Sequence, residues 1–241
     1  NLASDVLRRE RITCELDRIK LVGQRLDAVR WTSLSDVQQR ELYSPEINLK
    51  QFHLPLVAGE KGCYASHIKA WRTLLESEHQ AMVVLEDDVC FDDRLPTALN
   101  AIQHLALPWD MIKLIGRPRE KVRSHRQLIG EIALVEYSRV PSLTAGYVIS
   151  RSGAQKLLAS RIPFGRPIDV DLRFWWENDL VILGVSPSML ILDETSFTSS
   201  IGSKAGQDRK SWKLRWKKFR IKSALTLGNW QANRRRPLLL D

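Results

Sequence analysis

Residues 81–93 read AMVVLEDDVCFDD: five apolar residues run straight into Glu86, Asp87 and Asp88, and two more acids follow at Asp92 and Asp93. A short continuous apolar run bounded by polar residues is the pattern of a strand buried on both faces. Directly before it, GCYASHIKAWRTLLESE (62–78) places Tyr64, Ile68, Trp71 and Leu75 on one face of a helix. A helix feeding a doubly buried strand is an α/β arrangement. In such a fold, ligands bind in the crevice at the carboxyl ends of the strands, which is where these acids sit. Like charges in contact cannot all stay ionised, and burying them without compensation is costly. The stretch is therefore either a site for a hard divalent cation, Mg²⁺ or Mn²⁺, or a salt-bridged structural corner.

Three specific cation sites can be weighed. A calcium loop needs Gly at its sixth position, and counting from Asp87 that position is Asp92. A nucleotide-hydrolase strand of this kind requires G-x-x-x-x-G-K-[ST] upstream, and the chain contains none. A two-metal nuclease also uses clustered carboxylates and stays open.

The same alternation continues on both sides. Ser4 and Asp5 can cap a helix with Ile12, Leu16 and Ile19 on its apolar face, and LDAVRW (26–31) alternates like a strand. Residues 33–60 carry Pro45 and Pro55 with no dominant period, which predicts an irregular excursion. Beyond the acids, a helix opened near Pro96 aligns Leu95, Leu99, Ile102 and Leu105, and WDMIKLI (109–115) follows as a strand. Residues 116–131 are polar, basic and weakly periodic, the pattern of a loop. IALVEY, LTAGYVIS, LVILGVS and MLIL complete the strands, with helices over SGAQKLLAS and PIDVDLRFWWE. The expected fold is an α/β sandwich with a mostly parallel sheet.

At 241 residues, with 44% hydrophobic and 27% charged, the chain fits one full-sized domain with an appendage. The charge divides it: residues 203–241 hold twelve Lys or Arg against two acids, leaving 25 basic and 26 acidic residues in 1–202. The expected boundary therefore falls between a neutral body, 1–202, and a basic extension, 203–241. In that extension Trp212, Trp216 and Phe219 recur at i, i+4 and i+7 among Lys and Arg. This describes a basic amphipathic helix that would meet an anionic membrane surface through residues 209–222, with nucleic acid not expected as a partner. No apolar run approaches the roughly 18 to 20 residues that span a bilayer. Cys14, Cys63 and Cys90 have no metal-ligand spacing, which predicts free thiols in a reducing compartment.

Two further stretches carry candidate chemistry. In RPIDVDLRFWW, Asp169 and Asp171 would point about 200° apart on a helix, so at most one faces a common site. That one could serve as a general base, or both could be first-turn acids favoured by the helix dipole. Ser66 and His67 could hydrogen-bond a ligand, or cap and pack.

Taken together, these stretches resemble glycosyltransferase family 25. The resemblance rests on NLASDVLRRERI, GEKGCYASHIKAW, VVLEDDV, TAGYVISRSGAQKLL and PIDVDL, which are similar in order to the family's I-[NS]-L-x(4–5)-R-R, G-x-x-G-C-x-x-S-H-x-x-x-W, L-E-D-D-V, T-A-G-Y-[IV]-I-S-R and P-[IV]-D. It implies a GT-A fold, a Rossmann-like sandwich whose first strand would precede Asn1. It also implies hexose transfer, most often of galactose, from a UDP-sugar to a saccharide of lipooligosaccharide or lipopolysaccharide, with inversion and with Mn²⁺ or Mg²⁺. By that resemblance Asp88 and Asp87 hold the metal, Asp169 is the base with Asp171 in reserve, and Asn1, Leu2, Arg8, Arg9, Ser66, His67, Glu86, Asp87 and Gly146 lie toward the donor. Asp193 and Glu194 are offered as a further metal ligand. The expected place is the cytoplasmic face of a bacterial inner membrane, where the tail meets a lipid-linked acceptor. The rival reading is a degenerate transferase fold without catalysis that holds polyanions or membrane through its tail.

Overall fold

The computed structural model describes residues 1–117, 120–193 and 212–240. Helix α1 (Val6–Arg18) is capped by the Asp5 side chain, which accepts from the Arg8 backbone N–H. Two seven-residue helices follow, α2 (Asp36–Leu42) and α3 (Pro45–Gln51), each opened by a serine cap. The long helix α4 (Ala58–Glu76) then leads into strand β1 (Ala81–Leu85), and β2 (Val89–Phe91) resumes after the acids. Next come α5 (Leu95–Gln103), β3 (Met111–Lys113), β4 (Val122–Ile129), β5 (Ile132–Tyr137), β6 (Gly146–Ser150) and α6 (Arg151–Ser160). The single turn α7 (Ile168–Asp171) runs into a 3₁₀ segment, Leu172–Glu177. The chain continues through β7 (Ile182–Ser186) and β8 (Leu190–Leu192), and its last described helix is α8 (Trp212–Arg235).

Six strands form one sheet in the order β1-β6-β3-β7-β5-β4, and β2 pairs with β8 in a separate antiparallel ribbon. The α/β class holds, but the mostly parallel sheet does not. Among the described strands of this sheet only β3 and β7 pair in parallel, whereas β1·β6, β3·β6, β5·β7 and β4·β5 are antiparallel. A continuous apolar run reports burial on both faces, which holds for the inner strands β3 and β6, whereas β1 is an edge strand with Val83 38% exposed. Such a run carries no information about strand direction. The antiparallel character comes from β6 running between β1 and β3, and from a hairpin, β4–β5, turned at Gly130 with φ +53°.

Side chains alternate between two cores. Tyr147 and Ile149 of β6 and Met111 of β3 pack with α4, α6 and α7 on one face. Val148 and Ile112, one residue out of phase, pack with α5, β2 and β8 on the other.

Three local expectations also change. Residues 26–31 form no strand; they lie across α4, where the Ser66 hydroxyl accepts from the Val29 N–H at 2.8 Å and a Cβ at Gly62 would press on the Val29 carbonyl. The excursion at 33–60 contains α2 and α3, too short for a period to emerge. Residues 122–129 are an edge strand, whose outer face is solvated and therefore polar.

One buried cluster fixes α7 against the rest. Asp171, 3% exposed, accepts from the Tyr64 hydroxyl at 2.6 Å and from Arg166 Nη1 at 2.9 Å, and pairs with Arg161 at 3.2 Å. Glu177 bridges the same two arginines at 2.8 and 2.9 Å. Two cations and two anions balance, and α4, α6, α7 and the 3₁₀ segment meet at one point. Removing one charge leaves a buried cation in excess, so Asp171→Asn should cost about 3–5 kcal/mol in urea unfolding.

Candidate active site

The acidic stretch lies at the carboxyl end of β1, beside the carboxyl end of β3 and the amino end of β6. Glu86 is still tied to the sheet: its N–H donates to the Ala145 carbonyl at 2.9 Å, and its Oε1 accepts from the Thr144 hydroxyl at 3.2 Å. His67 Nε2 lies 3.4 Å from the same oxygen. One turn earlier on α4 is Cys63. The thiol, imidazole and carboxylate atoms of Cys63, His67 and Glu86 lie within 4.8 Å of one another, a grouping compact enough to hold a metal ion. Burial, with Glu86, Asp169 and Asp88 nearby, pushes the Cys63 thiol well up, which makes it a poor source of thiolate.

Helix α1 grips the next two residues. Asp87 accepts from Asn1 Nδ2 at 2.6 Å and from Arg8 Nη1 at 3.4 Å, and its carbonyl accepts from Arg11 Nη2 at 2.6 Å. Arg11 also pairs with Asp193, whose N–H donates to the Asp88 carbonyl at 2.9 Å. Asp88 differs from Asp87: its Oδ1 is buried with no hydrogen-bond partner among the described residues. Burial first, then Glu86 and Asp87, raise its carboxyl, while Arg8 opposes them. An orphaned carboxylate oxygen amid other acids is the environment a hard divalent cation relieves, so Mn²⁺ or Mg²⁺ fits Asp88. The Asp87 oxygens are already engaged by Asn1 and Arg8.

Asp169 approaches from α7. Burial raises its carboxyl, and the Val170 N–H and the Lys113 ammonium pull the other way. Lys113 is itself 1% exposed at the end of β3, donates to the carbonyls of Pro141 and Leu143, and is lowered by burial to about 7. Arg173, lowered by burial and by Arg139, also faces Asp169, and its Nε has no partner among the described residues. Glu86, Asp88 and Asp169, from two distant segments, thus all lie near enough to the Cys63 thiol to act on it, with Lys113 and Arg173 acting on Asp169.

The other sequence candidates sit differently. Asp171 is committed to Tyr64, Arg161 and Arg166 and turns away from this group. Ser66 is likewise committed, accepting from Val29 and donating to the Gly62 carbonyl at 2.7 Å. Gly146 serves packing, since a Cβ there would overlap Leu190. Leu2 closes the turn into α1 with its carbonyl, and Arg9 lies on α1 beside Arg8. Glu194 lies outside the described residues. Sequence patterning does not single out Cys63, Lys113, Tyr147 or Arg173 for this site. Lys113 carries a signal, as the lone cation inside the apolar run MIKLI.

Residues 1–172 match the family model described as Glycosyltransferase family 25 (LPS biosynthesis protein). Among curated relatives, Procollagen galactosyltransferase 1-A of Xenopus laevis is 32% identical over 81% of this chain and 35% of its own length. Procollagen galactosyltransferase 2 of Homo sapiens is 36% identical over 48% of this chain and 19% of its own. Probable inactive glycosyltransferase 25 family member 3 of Bos taurus is 32% identical over 68% and 28%. The chain therefore spans between 19% and 35% of the length of these relatives. With the match running through α1, the acids after β1 and the turn that carries Asp169, this chain belongs to glycosyltransferase family 25.

Proposed function

We propose that this chain is a metal-dependent galactosyltransferase that moves the sugar from UDP-galactose to a saccharide acceptor of lipooligosaccharide or lipopolysaccharide, with inversion, on a GT-A-like sandwich. The observation that carries this reading is the placement near Cys63 of both Asp88, with its unpartnered oxygen, and Asp169, a desolvated carboxylate free of the Asp171 ion cluster. The galactosyltransferase names of the relatives and the family's description support the sugar and the acceptor class.

Asp88 would hold the Mn²⁺ or Mg²⁺, with Glu86 and Asp87 beside it, and a cation bound there would supply charge neutralisation for the departing diphosphate. Asn1, Arg8 and Arg11 hold the turn that presents Asp88. Asp169 takes the proton of the acceptor hydroxyl as that oxygen attacks the anomeric carbon; the bond to the diphosphate breaks and its electron pair leaves with UDP. Burial makes Asp169 a stronger base than an exposed aspartate, and Arg173 with Lys113 keeps its ionised form accessible.

The tail supports attachment to a membrane surface on the cytoplasmic side of the inner membrane, beside a lipid-linked acceptor. Trp212, Trp216 and Phe219 of α8 are 72%, 58% and 59% exposed, next to Arg215, Lys217, Lys218 and Arg220. Among the described residues no helix is long and apolar enough to cross a membrane. The distal half of α8 is bound to the body instead. There Asn229 accepts from Trp175 Nε1 at 3.1 Å, Gly228 fits under Trp176, and Arg123 donates to the Asn233 and Arg236 carbonyls. Deleting all of α8 would therefore disturb the body as well as the surface.

Asp88→Asn should abolish Mn²⁺-dependent UDP binding in calorimetry; unchanged binding would remove the metal assignment. Asp169→Asn should bind UDP normally and lose about 10²- to 10⁴-fold in kcat. Because the folded carboxyl titrates above its unfolded value, its ionised form costs stability at neutral pH, so this variant should unfold no more easily than wild type. For the same reason the acid limb of kcat/KM should lie above the ordinary aspartate range near about 3.9. Replacing Trp212, Trp216 and Phe219 together by Ala should weaken binding to anionic vesicles by about tenfold or more, with the melting temperature unchanged. Transfer to procollagen in place of a lipid-linked saccharide would reassign the acceptor.

A further inference from the structure

Trp71 Nε1 lies 3.0 Å from the Tyr147 hydroxyl, which lies 2.7 Å from His67 Nδ1, and His67 Nε2 lies 3.4 Å from Glu86 Oε1. Trp71 and Tyr147 are fully buried and His67 is 4% exposed. The proton on each heteroatom of this chain can be placed by elimination. An indole N–H only donates, so the Tyr147 oxygen accepts from Trp71. The phenol's own proton then needs an acceptor, and among the described residues its partner is His67 Nδ1. Burial raises the Tyr147 phenol, which keeps that proton in place. A ring nitrogen that accepts carries no proton, so the imidazole proton sits on Nε2, the nitrogen that lies 3.4 Å from Glu86 Oε1. Were Nδ1 protonated, the Tyr147 oxygen would face two donors and its own proton would be stranded in the core, at a cost comparable to a lost buried hydrogen bond.

From this we infer that His67 is a positioning residue, whose Nε2–H tautomer is fixed by Tyr147 and Trp71 and whose Nε2, 3.4 Å from Glu86 Oε1, holds that carboxylate beside Asp88. Thr144 donates to the same Oε1 at 3.2 Å, so both side chains meet Glu86 at one oxygen. The other oxygen, Oε2, receives no hydrogen bond from the described residues and is left to face the ligand. The same proton placement decides between two uses of Cys63, His67 and Glu86. Zinc suits thiolate, imidazole and carboxylate, but ligation through Nε2 would drive the proton to Nδ1 and strand Tyr147. The trio is thus a support for the acidic turn, and Trp71 and His67 of α4 join Tyr147 of β6 in holding it. The role assigned to Glu86 rests on the transfer reading; the proton placement does not.

Long-range ¹H–¹⁵N correlation on histidine-labelled protein, with the His67 signal assigned by its loss in His67→Gln, reads the tautomer directly and requires no turnover. The expected pattern is an unprotonated Nδ1 and a protonated Nε2, collapsing toward a tautomer mixture in Tyr147→Phe. A protonated Nδ1 in the wild type overturns the proposal, as does stoichiometric Zn²⁺ binding that Cys63→Ser removes. In kinetics, His67→Ala should raise the KM for the donor by about 10- to 100-fold, the effect of losing a hydrogen bond to a charged group. The acceptor KM should be unchanged, and His67→Gln, which keeps an N–H at the Nε2 position, should recover most of the loss. Equal losses in the Ala and Gln variants with folding intact overturn the positioning role. A wild type that turns over no UDP-sugar while showing the Nε2–H tautomer counts against the transfer reading alone.

Discussion

Asp171 lies between two guanidinium groups and a phenol, and four separate segments owe their relative placement to it. Tyr64 brings α4, Arg161 comes from the end of α6, and Arg166 with Glu177 brackets the turn that carries Asp171 itself. Because α7 is a single turn, it has little hydrogen bonding of its own and cannot hold a fixed pose alone. The balanced ion cluster supplies that pose. Two residues before Asp171, the same turn therefore delivers Asp169 to the edge of the sheet, beside the acids that follow β1.

The two aspartates of PIDVDL show how one chemical group takes two roles through environment. Asp171 pairs with Arg161 and Arg166 and accepts from the Tyr64 hydroxyl. Asp169 is desolvated with weaker compensation, so its proton is held more tightly and its ionised form is a stronger base. Asp87 and Asp88 repeat the contrast: the first is engaged by Asn1 and Arg8, and the second keeps an oxygen without a partner. In each pair one member is compensated by neighbouring cations or donors and the other is not. Residual electrostatic cost in a folded protein collects where a ligand can relieve it.

Helix α8 joins both themes. Its distal half is bound to the body through Asn229, Gly228 and the carbonyls that Arg123 captures, whereas its first turns present aromatic rings and cations outward. Trp216 and Phe219 stack on each other at 5.7 Å instead of on the core.

Sequence patterning alone determined most of the helix–strand alternation, the Asp5 cap of α1, much of the buried faces of α4 and α5, and the location of the acidic turn at a strand end. Those features depend on residues near each other in the chain, where periodicity and capping chemistry act. It did not determine that β6 and β5 run against their neighbours, because apolar runs encode burial and not direction. Nor did it show that 122–129 is a strand, since an edge with one solvated face resembles a loop. Which aspartate of PIDVDL is scaffold, which oxygen of the acidic turn lacks a partner, and which nitrogen of His67 carries the proton were decided by tertiary structure. Each depends on what residues tens of positions away bring within hydrogen-bond reach, and electrostatic energy is set by those neighbours and by burial.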